Sequence, residues 1–248
     1  MSGYGEFARV YDRLNSSAEY DKREEYIWSL FEKYGHAPTL LLDFACGTGE
    51  FSRRIAARGV EVIGVDPSVE MLGIAAEKSS GEVLYLNQDA YSLELYGTVN
   101  GAVCCLDSIN HITEKEELHE LLRKIALYLE PEKLFIFDVN TEFKHREILG
   151  DNSFILEENG VFCAWQNYLS EDGTTVDIDL TLFEETKDGT YNRFDECFSE
   201  RAYSDRELRE MLEGAGFEIL AILGDMSFDS PLNDSQRNYY VTQRKKNG

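Results

Sequence analysis

The stretch Leu41-Leu42-Asp43-Phe44-Ala45-Cys46-Gly47-Thr48-Gly49 decides how the chain folds. A short apolar run ends in a carboxylate, and a turn of small residues then opens a helix that reaches about Arg58. Small residues are needed where a ligand approaches the backbone closely or where φ turns positive. Two nucleotide-binding patterns compete for such a loop. The dinucleotide fingerprint wants three glycines in G-x-G-x-x-G. With Gly47 and Gly49 in the first two places, Ser52 falls on the third and breaks it. The other pattern has an acid at the strand end ahead of the loop, and Asp43 satisfies it.

On both sides of this stretch, apolar strands alternate with helices. Residues 39–44, 60–65, 83–86, 101–106 and 133–139 read as strands, with further helices over 68–78 and 114–129. Continuous apolar strands alternating with helices imply a parallel sheet covered on both faces. Upstream, residues 4–14 place Tyr4, Phe7, Tyr11 and Leu14 on one face of a short helix. Residues 19–34 form a second amphipathic helix along Tyr20, Ile27, Leu30, Phe31 and Tyr34.

After about Gly150 the pattern changes. Asn159-Gly160, Asp172-Gly173 and Asp188-Gly189 are tight-hairpin signals, and Val176, Ile178, Leu180 and Leu182 alternate with Asp177, Asp179 and Thr181. Residues 152–204 therefore predict a four-stranded antiparallel meander, after which a helix at 205–214 and strands at 217–223 and 238–243 resume the α/β pattern. The predicted fold is α/β, a doubly wound, mostly parallel seven-stranded Rossmann-like sheet. It spans residues 1–150 and 205–248 with an N-terminal helical cap, and 151–204 form an inserted antiparallel sheet.

Composition narrows the function. The 248 residues hold 24 Lys and Arg against 47 Asp and Glu, a net charge of −23. Such a chain repels phosphate backbones, and its basic residues cluster only at Arg244-Lys245-Lys246, so no nucleic acid is expected as partner. With 14 Phe and 14 Tyr, disorder as the main state is excluded. No apolar run approaches the ~18 residues that cross a bilayer, so no membrane is expected as partner. Residues 1–7 lack the basic and apolar regions of a signal peptide. Five cysteines, an odd number without Cys-x-x-Cys, suit reduced thiols in the cytoplasm. The histidines show no ligand spacing. His119-Glu120-Leu121-Leu122-Arg123 begins like a zinc-protease helix but has Arg at the second ligand position, so no metal is expected.

The chemistry concentrates at strand ends. Asp66, in Gly64-Val65-Asp66-Pro67-Ser68, can accept two hydrogen bonds from ribose hydroxyls, each ~1.5–3 kcal/mol because one partner is charged. Asp89, in Asn87-Gln88-Asp89-Ala90, can face the exocyclic amine of adenine. Alone, either acid reads as a helix N-cap. Asp43, Asp66 and Asp89 in register at the C-terminal ends of successive strands, with the Gly loop after the first, point to a nucleoside site.

Together these residues resemble the class I S-adenosylmethionine-dependent methyltransferases, over about residues 40–140. Phe7-Ala8-Arg9-Val10-Tyr11-Asp12, Tyr20-Asp21-Lys22 and Cys104-Cys105-Leu106-Asp107-Ser108-Ile109-Asn110-His111 are similar to a bacterial subgroup of small-molecule methyltransferases. That subgroup is similar to the sugar N,N-dimethyltransferases, which carry a comparable late β-insertion. One departure is Ala45, where the loop usually has its first glycine.

The resemblance implies the Rossmann-like methyltransferase fold, S-adenosylmethionine as cofactor and S-adenosylhomocysteine as product, without a metal. By position, Asp43 would hold a water or the methionine amino group, and Ala45, Cys46 and Gly47 would back the methionine portion. Asp66, with Pro67 after it, would take the ribose. Met71 would pack on adenine, Asp89 and Ala90 would read its edge, and Leu106 would line the methionine end. Tyr11 would close over the cofactor; its other reading is a core aromatic. His111 directly follows the fourth strand, where the acceptor should sit, and histidine titrates near neutrality, so it is the candidate base. Its other reading is a capping or packing histidine before Thr113-Glu114.

The Asp/Asn-Pro-Pro-aromatic run that binds planar amines is absent, the site reading Leu106-Asp107-Ser108-Ile109. Cys104 and Cys105 look like buried strand residues rather than nucleophiles. A small-molecule amine or hydroxyl acceptor remains, for a monomer or homodimer. The meander carries Trp165, Tyr168, Phe183, Phe194, Phe198 and Tyr203, and reads as a lid, acceptor-pocket wall or dimer surface, or as a sheet whose aromatics are simply its own core. The alternatives to a methyltransferase are a non-catalytic S-adenosylmethionine or nucleotide binder and an NAD-dependent oxidoreductase, the latter disfavoured by Ser52 and an antiparallel final strand.

Overall fold

The computed structural model describes residues 6–15 and 18–246; Tyr4 of the first expected helix lies outside them. Helices α1 (Ala8–Leu14) and α2 (Tyr20–Tyr34) precede β1 (Leu40–Phe44), α3 (Glu50–Ala56), β2 (Glu61–Asp66), α4 (Val69–Lys78), β3 (Val83–Asn87), β4 (Gly101–Cys104), α5 (Lys115–Tyr128) and β5 (Leu134–Asn140). A π-helical turn, Lys144–Leu149, leads into β6 (Ser153–Glu158), β7 (Val161–Leu169), β8 (Thr175–Glu185) and β9 (Tyr191–Arg201). The chain closes with α6 (Asp205–Gly214), β10 (Phe217–Gly224) and β11 (Arg237–Arg244).

Two sheets form. The larger has seven strands in the order β3-β2-β1-β4-β5-β11-β10, and β6 to β9 make a four-stranded antiparallel meander. β1 pairs in parallel with both β2 and β4, while β11 runs antiparallel to β5 and β10. The chain thus winds outward in both directions from β1 and β4, and the crevice at such a switch point is where open α/β sheets bind ligands.

Alternation along each strand feeds two cores. Leu42, Phe135 and Phe137 pack under α5 (Leu118, Leu121, Leu122, Ile125) and α6 (Leu208, Leu212). Leu41, Val103 and Ile136 point the other way, against Ile27, Leu30 and Phe31 of α2 and Ile55 of α3. A third core joins α1 to the meander: Phe7, Ala8 and Val10 pack with Met71 and with Val161, Cys163, Ile178, Leu180 and Leu182. Burying each such aliphatic side chain contributes roughly 1.5–3 kcal/mol, so the meander is fixed in place by its apolar face.

The aromatics of the meander divide. Phe194 is core, Phe162 and Phe183 meet edge to face with centroids 6.1 Å apart, Tyr168 is exposed, and Tyr203 is buried in the main core. β4 ends at Cys104, two residues earlier than expected. Leu106 and Asp107 adopt left-handed backbone, φ 58° and 53°, and their amides turn toward the Asp138 carboxylate at 2.8 and 2.9 Å.

Candidate active site

The loop after β1 is held open by backbone conformation. Ala45, Gly47 and Gly49 all have positive φ, at 60°, 53° and 73°. A Cβ at Gly49 would stand 2.3 Å from Tyr85 Oη, so any other residue would have to displace Tyr85 as well as adopt left-handed backbone. At Gly47 a Cβ would meet nothing within 4 Å, because this backbone borders a cleft. The Gly47 amide donates to Asp66 Oδ2 and the Ser68 amide to Asp66 Oδ1, both at 2.8 Å, which fixes the carboxylate beside the loop. Burial raises the Asp66 carboxyl above its ordinary range, against these two bonds.

Ser52, which breaks the dinucleotide fingerprint, is buried and donates its hydroxyl to Asp43. Burial pushes the Asp43 carboxyl up to about 7. Asp43 and Cys46 stand behind the loop and do not line the cleft; the Cys46 amide bonds Val65 O at 3.0 Å. Asp89 Oδ1 accepts from the Tyr91 and Ser92 amides and the Ser92 hydroxyl. The Ser92 hydroxyl bond in particular holds this carboxyl below its usual range. None of these bonds uses Oδ2.

The cleft measures about 720 Å³. Of the residues singled out from sequence, Tyr11, Ala45, Gly47, Asp66, Pro67, Met71, Asp89, Ala90, Leu106 and His111 line it. Of the other reading of His111, capping or packing, the structure shows packing, its ring 5.1 Å from the Phe198 ring, while Glu114 occupies the N-cap of α5. Tyr11 meets Phe7 edge-on at 5.6 Å, so it is packed and cleft-lining at once.

Sequence reading missed a polar cluster next to His111. Arg237 of β11 pairs with Asp138 at the end of β5 and with Asp107 at 2.8 Å. Asn140 Nδ2 donates to Asp107 Oδ2 at 2.7 Å and to Glu200 Oε2 at 3.1 Å. Glu200 Oε1 lies 4.0 Å from His111 Nε2, and Lys144 Nζ donates to Asn140 Oδ1 at 2.9 Å. Burial alone would raise Asp107, but Arg237, with Lys144 and His111, holds it well below the carboxylate range. Asp107, His111 and Glu200 each bring one ligand-type atom within 4.8 Å of the others. Arg23, Trp165 and Phe198 also line the cleft, Arg23 donating to Tyr239 Oη at 2.6 Å. Two signals were visible in sequence: Asp138 and Asn140 interrupt an otherwise apolar buried strand, and Glu200 shares strand parity with Phe194 and Phe198.

A strand-loop-helix turn with positive φ, acids at successive strand ends and a cleft at the switch point define a nucleoside-binding α/β protein. Comparison with known proteins gives the family. The methyltransferase-domain profile matches residues 41–132. The putative methyltransferase YqeM of Bacillus subtilis (strain 168) is 34% identical over 246 residues, 98% of each chain. A S-adenosylmethionine-dependent methyltransferase from Clostridium acetobutylicum ATCC 824, known from a crystal structure, matches with a TM-score of 0.88 at 27% identity over 97% of this chain and 98% of that one. A dTDP-3-amino-3,6-dideoxy-alpha-D-glucopyranose N,N-dimethyltransferase of Streptomyces fradiae is 27% identical over 136 residues, 54% of this chain and 53% of that one. The chain belongs to the class I S-adenosylmethionine-dependent methyltransferases, and the oxidoreductase and non-catalytic readings give way to an enzyme of that class. Among the described residues no helix is long and apolar enough to cross a membrane.

Proposed function

We propose that the protein methylates a small-molecule acceptor, an amine in preference to a hydroxyl. The observation that carries this reading is the cluster in the cleft where His111 stands 4.0 Å from Glu200 and close to Asp107. S-adenosylmethionine, when bound, supplies a sulfonium-activated methyl group that an acceptor lone pair displaces in line, the sulfur leaving as a neutral thioether. The chain is then asked mainly for positioning.

Each Asp66 oxygen already accepts one amide, and a carboxylate oxygen has two lone pairs, so one on each remains for a ribose hydroxyl. Asp89 Oδ2 would accept from the adenine amine, with Met71 and Ala90 lining the adenine end of the cleft and Pro67 the ribose end. Ala45, Gly47 and Leu106 would border the methionine portion, and Arg23 would be the cation for its carboxylate. Tyr11 covers the site. Asp43 acts from behind the loop, through Ser52 and its charge, and Cys46 through its backbone.

His111 takes the proton that an acceptor nitrogen must lose. Glu200 and Asp107 favour the positive charge that nitrogen gains as it attacks, and they oppose the negative charge an alkoxide would carry. This asymmetry supports an amine, as does the Streptomyces relative's name for N,N-dimethylation of an amino sugar. Arg237, Asn140 and His145 already engage the two carboxylates, so we assign the trio to charge and proton handling rather than to a metal. The face of the meander bearing Trp165, Leu180 and Phe198 serves as a wall of the acceptor pocket. Five free thiols fit a reducing cytoplasm, and the net charge of −23 fits a small acceptor rather than nucleic acid.

The test is release of S-adenosylhomocysteine with a panel of small amines and matched alcohols, for the native protein and His111→Ala. Turnover with amines, reduced about 100-fold or more in the variant with cofactor affinity kept, is expected. Turnover with alcohols alone overturns the amine assignment, and equal losses of turnover and affinity would make His111 structural.

A further inference from the structure

His145 is fully buried on the π-helical turn, behind the cleft. Its Nδ1 lies 3.0 Å from the Thr141 carbonyl. A carbonyl only accepts, so Nδ1 carries a hydrogen. The other ring nitrogen, Nε2, is buried and lies 3.4 Å from Glu200 Oε2, an ion-pair distance, and it completes no hydrogen bond among the described residues. In a neutral ring that nitrogen would present a bare lone pair to a carboxylate oxygen 3.4 Å away, too close for a water to stand between them. Two opposed acceptors in a buried site are costly, and a proton between them removes the conflict.

We propose that His145 and Glu200 form a buried imidazolium–carboxylate pair, and that His145 is thereby a positioning residue for His111. The proposal rests on the methyltransferase reading of the site and extends it one layer inward. Glu200 Oε2 is held by His145 and by Asn140 Nδ2, which leaves Oε1 directed toward His111 Nε2. The arrangement is a base oriented by a carboxylate that is itself fixed from behind. The positive ring keeps Glu200 ionised in surroundings where burial alone would protonate it. The other titratable groups acting on Glu200 are Asp107 from the turn after β4 and His111, with Lys144 of the π-helical turn behind Asn140 and Arg237 of β11 behind Asp107. Arg237 is already committed to Asp107 and Asp138, and Lys144 to Asn140. His145 is therefore the cation that answers Glu200.

The test is long-range ¹H–¹⁵N NMR of the full chain with ¹⁵N-labelled histidine, together with pH–rate profiles. At pH 7.5, His145 should show both ring nitrogens protonated. In Glu200→Gln it should become a neutral ring with hydrogen on Nδ1 alone. Both Glu200→Gln and His145→Gln should lower kcat and move the acid limb of the profile to lower pH, because His111 loses an ionised neighbour that stabilises its charged form. The double variant should shift it no further than either single one, since both act through one carboxylate. S-adenosylhomocysteine affinity should be unchanged in all three. An unprotonated His145 nitrogen in the native protein, or a double variant whose effects add, overturns the proposal. If His145→Gln does not fold, the spectra of the native protein and Glu200→Gln decide alone. Failure of the native protein to bind S-adenosylhomocysteine would instead count against the cofactor site, leaving the NMR result to stand.

Discussion

Asp12 on α1 accepts a hydrogen bond from Thr48 Oγ1 at 2.6 Å and forms an ion pair with Lys78 of α4. One carboxylate thus ties the helix that carries Tyr11 to the Gly loop and to the helix that carries Met71. The cover of the cleft and its floor are mechanically joined.

Asp12→Ala should therefore weaken cofactor binding more than it weakens the fold. Losing one hydrogen bond and one part-exposed ion pair costs about 1–1.5 kcal/mol in the closed state, or roughly 5–10-fold in affinity. Isothermal titration with S-adenosylhomocysteine reads this directly. Unchanged affinity would show that α1 takes no part in holding the cofactor.

Asp43 gives a pH prediction. Its folded-state carboxyl is raised by burial to about 7, above the unfolded value of about 3.9. The folded state therefore holds the proton more tightly, and that stabilisation is full below about pH 4 and lost as pH rises to about 7. Asp43→Asn should flatten this slope, which amounts to about 4 kcal/mol at most, in urea melts between pH 4 and 8. A native protein equally stable across that window would contradict the assignment.

Gly49→Ala should destabilise by about 1–3 kcal/mol, combining left-handed backbone with a Cβ driven against Tyr85 Oη. Among the described residues the buried Tyr85 hydroxyl has no hydrogen-bond partner. Gly49→Ala with Tyr85→Phe should recover part of the loss. No recovery in thermal melts would leave backbone strain as the whole effect.

Much of this architecture was readable before folding because it is local. Continuous apolar strands announced a sheet covered on both faces, and three Asn/Asp-Gly pairs announced the meander. Asp66 and Asp89, which both line the cleft, could be singled out because strand ends in an open sheet are where ligands bind. The charge cluster is not legible because its members lie far apart in the chain: Asp107, Asp138, Glu200 and Arg237 meet only where β5 and β9 end and β11 begins. Ser52 was read only as a missing glycine, whereas it is the partner of Asp43. Tyr203 was grouped with the meander by position, yet packing places it in the main core.

The most direct measurement is a thermal shift with S-adenosylhomocysteine, and separately with NAD, on the native protein and Asp66→Ala. A ligand at 100 times its Kd adds about 2.7 kcal/mol, and each kcal/mol moves the midpoint of a chain this size by roughly 2–4 °C. The native protein should therefore rise by about 5–10 °C with S-adenosylhomocysteine and not with NAD, and Asp66→Ala should fold but not shift. An equal rise in Asp66→Ala, or a rise with NAD alone, would contradict the site described for this cleft.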